Sequence, residues 1–142
     1  VNLRSTSRID ILPATNHLPA VDYPVKSDDG VLSIQPRIAK IRIESVELSS
    51  AAVDQYKIQG LIPSSPTYRI RGSEFLLTIP APMEFVYVSP RPTHRLAIYR
   101  YDGVTWSPKT IQNQKIRTAG PGKTAAYGEF VRSGFYAVME SK

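Results

Sequence analysis

Few residues in this chain have the types and spacings that chemistry needs. His17 and His94 are its only histidines; they stand far apart, and neither belongs to a His-x-x-x-His pair. Cysteine is absent, which excludes disulfides, thiolate catalysis and Cys-based zinc sites. A zinc ion would have to recruit both histidines and carboxylates from distant loops. The 12 acidic residues fall mostly in turns or alternate outward along strands, so no pair stands out as the acid and base of a glycosidase. Ala119-Gly-Pro-Gly-Lys-Thr124 ends like a phosphate-binding loop, yet Arg117 holds the place of its first glycine. Residues 125–128 then head into a strand, where such a loop needs a helix N-terminus facing the phosphates. No Gly-x-Ser-x-Gly elbow occurs. The expectation is a non-enzymatic protein with no catalytic residue, metal or cofactor.

An aromatic and basic grouping remains in the last third of the chain. Tyr99, Tyr101 and Trp106 cluster with Arg95, Arg100 and Lys109. Arginine and aromatic residues are enriched at binding hot spots, so these six are the expected binding residues. The net charge of +6 favours anionic partners. The basic residues are dispersed, and neither an RNA-binding aromatic motif nor a recognition helix accompanies them. The expected partner is therefore a protein or an anionic envelope or wall polymer, with no nucleotide. Side chains alternate across a strand, so some of these aromatics face outward and could stack on sugar rings. Carbohydrate binding is thus an alternative, set against a plain core role for the same rings.

The elements that must position these residues read as strands. At 142 residues, 42% of them apolar, the chain suits one domain with a real core. No apolar run approaches the roughly 20 residues of a membrane-spanning helix. Arg95–Tyr101 and Val104–Trp106 flank Asp102-Gly103, a strong hairpin signal in which both turn positions are expected at positive φ. Residues 128–138 carry the closing strands. Ile41 and Ile43 alternate with Arg42 and Glu44, then the phase slips at Ser45, which suggests a β-bulge. Residues 49–54 suit a helical turn or a loop, and Gln55–Gly60 alternates like a strand with Tyr56 and Ile58 inward. Thr67–Arg71, Phe75–Ile79 and Glu84–Val88 read as further strands, with Pro80 and Pro82 separating the last two. Lys109–Ile111 and Lys115–Thr118 flank an expected turn at residues 112–114. The spacing predicts an all-β antiparallel sandwich of roughly ten short strands. Residues 1–30, weakly patterned and broken by Pro13, Pro19 and Pro24, read as an extended arm before a sandwich domain at 31–142.

Part of the chain resembles a known module. Thr67–Phe75, the Leu96–Trp106 hairpin and Gly134–Val138 are similar to steps of the β-sandwich module of ankyrins, netrin receptors and tight-junction scaffolds. They also resemble its bacterial relatives in envelope proteins and lysostaphin-like endopeptidases, over roughly residues 65–139. Some members of that family cleave themselves at His-Phe-Ser; the matching positions here are Arg132, Ser133 and Gly134, so self-cleavage is not expected. The endopeptidase relatives keep their zinc ligands in a separate domain, and this chain carries none of those motifs. The resemblance implies a non-enzymatic accessory or binding module of an exported or envelope-associated protein, secreted or held at the cell envelope. The chain opens at Val1 without an initiator Met, so a mature product or a fragment is expected. The main rival is a structural subunit of a capsid, filament or surface layer, with residues 1–30 clasping a neighbouring copy.

Overall fold

The computed structural model describes residues 24–35, 41–71, 76–89 and 95–141. Among them are eleven strands and one helix: β1 (Val25–Lys26), β2 (Leu32–Ile34), β3 (Arg42–Ser45), α1 (Ser50–Ile58), β4 (Leu61–Pro63), β5 (Tyr68–Arg71), β6 (Leu76–Val88), β7 (Leu96–Tyr101), β8 (Trp106–Ser107), β9 (Gln112–Gly120), β10 (Lys123–Arg132) and β11 (Gly134–Ser141). The fold is an all-β sandwich of two antiparallel sheets. One has strand order β1-β2-β6-β10-β9. The other is β3-β5-β11-β7-β8, with β4 added along β11.

Alternation builds the core between the sheets. Tyr68 and Ile70 of β5 point inward while Arg69 and Arg71 are exposed. Ala81, Met83, Phe85 and Tyr87 of β6 do the same from the opposite sheet, against Tyr136 and Val138 of β11. A second cluster lies on the outer face of the β11 sheet, where Tyr99, Trp106, Ala137 and Met139 are covered by Ala52 and Tyr56 of α1. β11 is therefore buried on both faces, which accounts for the near-continuous apolar run of its sequence.

The chain departs from its sequence pattern at several places, each with a physical cause. Gln55–Gly60 is not a strand. Ser49 caps the helix by accepting from the Ala52 N–H at 3.3 Å, and Gly60 at φ 73° ends it. Ile58 is left 77% exposed, because Ala52 and Tyr56 form the buried stripe one turn apart. The slip at Ser45 is no bulge: β3 ends there, and the chain crosses from the inter-sheet core, held by Ile41, to the outer cluster, joined by Leu48. β6 runs unbroken through Pro80 and Pro82. Gln35, just beyond the end of β2, stands opposite Pro82 and donates its N–H to the Pro82 carbonyl at 3.1 Å; proline has no N–H to return, so it falls where this ladder ends. Ile111 is buried, but residues 109–111 form a turn, and the expected turn at 112–114 is the start of β9. The hairpin loop Asp102–Thr105 is longer than a two-residue turn, and only Gly103 has positive φ.

Residues 24–30 of the expected arm belong to the sandwich. β1 pairs with β2, and Asp29 accepts hydrogen bonds from the Ser27 and Tyr68 hydroxyls. The rest of that arm, His17, His94 and the Pro90–Pro92 stop lie outside the described residues. Among the described residues, no helix is long and apolar enough to cross a membrane.

Candidate functional site

The six expected binding residues separate in space. Trp106 is a core residue, 2% exposed. Its indole N–H donates to the Ala52 carbonyl at 3.0 Å, and its ring packs 5.0 Å from that of Tyr101. Tyr99 is buried in the same cluster, and that burial pushes its hydroxyl pKa up. Neither ring offers a face to a ligand. Arg95 and Lys109 are exposed, but Arg95 lies at the start of β7 and Lys109 in the turn after β8. Only Arg100 and Tyr101 border open space together, at the end of β7.

They meet there with residues that the sequence did not single out. β11 pairs Phe135 with Arg69 on one side and with Tyr101 on the other. This register sets Arg69, Phe135 and Tyr101 abreast on the outer face, with the Arg69 guanidinium 5.6 Å from the Phe135 ring centre. Arg71 follows Arg69 on the same face, two residues along. Arg100 reaches in from β7 and donates Nε and Nη2 to the Ser133 carbonyl at 3.1 and 2.9 Å. Together they line a cleft of about 410 Å³ at the end of the sheet.

The loop between β10 and β11 is shaped to admit Arg100. Gly134 has φ 149°, a conformation that L side chains rarely adopt, and a Cβ there would stand 2.8 Å from the Arg100 Nε. Below it, the Tyr136 hydroxyl donates to the Arg132 carbonyl at 2.6 Å, and burial holds its pKa well above the usual range.

The cleft is strongly cationic. Arg69, Arg71 and Arg100 line it, and Arg42 lies opposite Arg71 in the β3–β5 ladder. Among the described residues, the acids beside them are Glu44 and Asp102. Glu44 meets Arg71 at 3.3 Å, but both side chains are well exposed, 37% and 50%, so water screens the pair. Asp102 is committed to its own loop, where its carboxylate accepts from the Val104 and Thr105 N–H groups at 2.8 Å each. The Thr105 and Val104 hydrogen bonds, with the nearby Arg100 charge, hold its pKa below 3.8. Guanidinium forks in a cleft suit carboxylate, phosphate or sulfate oxygens.

A smaller cavity of about 180 Å³ adjoins the cleft. Tyr101 and Phe135 line both spaces, and Leu48, just before α1, and Ala52 within it complete the smaller wall. The outer face of the other sheet carries mutually paired polar groups: Arg117 meets Glu84 at 3.4 Å, and Asn113 and Tyr127 each donate to Glu129 at 2.9 Å. Among the described residues, no three His, Asp or Glu side chains gather as a metal would require. Ala119–Lys123 forms the β9–β10 hairpin turn, followed by a strand.

The alternation of Arg69 and Arg71 against Tyr68 and Ile70 was legible in the sequence, but the pairing of β5 with β11 was not. No protein-family model, curated protein or solved structure matches the chain.

Proposed function

We propose that this chain is a non-enzymatic binding module that holds an anionic partner in the arginine cleft, as an accessory unit of an exported or envelope-associated protein. The observation that carries the reading is the convergence of Arg69, Arg71 and Arg100 on one cleft, where Arg71–Glu44 is the one ion pair they make among the described residues, and water screens it. The accessory role and the envelope setting draw support from the sandwich architecture, the basic balance and the resemblance of the Leu96–Trp106 hairpin and Gly134–Val138 to envelope modules. Sugar stacking on Trp106 and Tyr99 loses its support, because α1 and the neighbouring strands cover both rings.

The test is retention of the chain on purified cell wall and on polyphosphate beads at low and high salt. Salt-sensitive retention that Arg69→Gln with Arg71→Gln abolishes is the expected result. Retention that the double variant leaves intact would move the binding surface elsewhere, and no retention at low salt on either matrix would remove the anion reading.

A further inference from the structure

We propose that the partner is an acidic peptide segment that presents carboxylates to the arginine cleft and one apolar side chain to the adjoining cavity. This rests on the reading of the cleft as an anion site and names the chemistry of its ligand. The two spaces share Phe135 and Tyr101 as a common wall. The side lined by Arg69, Arg71 and Arg100 attracts negative charge. The other side is walled by Leu48, Ala52 and the two rings, and it includes Glu47, whose carboxylate repels an anion. A ligand that fills both must divide into a charged part and an uncharged, apolar part.

Size decides between amphiphilic anions. Roughly 150 Å³ of apolar space takes a benzene-sized group. About 180 Å³ therefore holds one medium side chain and is too small to bury a full acyl chain. Geometry favours a peptide as well. In an extended chain, residues two apart point the same way and lie about 7 Å apart, so a carboxylate and an apolar group reach either side of one aromatic wall. A wall or phosphate polymer without apolar groups would occupy the arginine side alone. Charge complementarity selects the acidic peptide over a neutral one: among the described residues, the charged groups that line the cleft are Arg69, Arg71, Arg100 and Asp102, and Asp102 is tied up in its own loop.

The experiment titrates the full chain with three labelled probes at low salt. They are the peptide Gly-Glu-Ser-Leu-Ser-Glu-Gly, in which each glutamate lies two residues from the leucine, the same peptide with serine in place of leucine, and short-chain polyphosphate. Anisotropy reports affinity, and Trp106 emission reports events at the neighbouring Tyr101 ring. The leucine peptide should bind about tenfold tighter than the serine peptide, in line with burial of one apolar side chain. Leu48→Ser should narrow that gap, and Arg71→Gln should weaken both peptides. Equal affinity for the two peptides, or polyphosphate binding tighter than either, overturns the peptide inference and leaves the anion cleft standing. No binding of any probe overturns both. The comparison of the probes uses the unaltered chain, so the outcome does not depend on a variant folding.

Discussion

Single side chains in this protein often replace missing backbone partners. Gln114 spans the open edge of β7: the Ile98 N–H donates to its Oε1 at 2.7 Å, and its Nε2 donates to the Ile98 carbonyl at 2.9 Å. Gln59 treats Trp106 in the same way, with bonds of 2.9 and 2.8 Å. A carboxamide matches a peptide group in both donor and acceptor, so each glutamine acts as a one-residue strand. Asp29 is a third such tie, between the β1–β2 hairpin and Tyr68. Burial raises its pKa, but the hydrogen bonds from Ser27 and Tyr68 outweigh that effect, and the net value lies below 3.8. A depressed carboxylate contributes stability at neutral pH that is lost as pH falls below about 3.8 toward the lower folded value. Unfolding midpoints should therefore drop in that acid window, and Asp29→Asn should flatten the drop; an unchanged acid profile in the variant would remove Asp29 from the account. Gly134→Ala combines a strained φ with a clash at Arg100 and should destabilise by about 1–3 kcal/mol, seen in urea unfolding. It should also weaken anion binding, because Arg100 loses its seat.

At the scale of elements, α1 decides what the C-terminal hairpin can do. The aromatic run Tyr99, Tyr101, Trp106 and Phe135 was legible in the sequence, as were most strands and the sandwich itself. What hid the site was a helix written in ambiguous code. Gln55-Tyr-Lys-Ile-Gln59 fits a period of two as well as a helical turn, and only the Ser49 cap and Gly60 distinguish them. Once residues 50–58 are a helix, Trp106 has a roof, and the exposed face moves to the arginines of β5. Sheet order is the other hidden term, since nothing local in Tyr68–Arg71 says that it will lie beside Gly134–Tyr136. The docking of α1 gives a prediction at this scale. Trp106→Phe keeps an aromatic ring but removes the indole N–H that donates to the Ala52 carbonyl and leaves part of the indole's space empty, so it should cost about 1–3 kcal/mol in chemical denaturation. A loss within the error of the measurement would mean that the indole bond does not hold the helix.

Across the whole molecule, the charge of +6 is less dispersed than the sequence suggested. Strand pairing gathers Arg42, Arg69 and Arg71 from two strands, and Arg100 joins from a third. Three cleft arginines, with Arg42 on the neighbouring strand, make a focused positive field at one end of the sandwich, while the Glu84–Arg117 and Glu129 groups of the opposite sheet pair among themselves. Such a field should speed association with anions and lose effect as salt shortens the screening length, about 10 Å at 0.1 M. The measurement that reaches the central claim most directly is the affinity of the chain for polyphosphate across a salt series, beside the Arg69→Gln, Arg71→Gln double variant. The account predicts a steep loss of affinity with salt in the unaltered chain and a drop of at least about tenfold in the variant at low salt, the loss of two charge-assisted contacts. Equal affinities for the two proteins at low salt would contradict it.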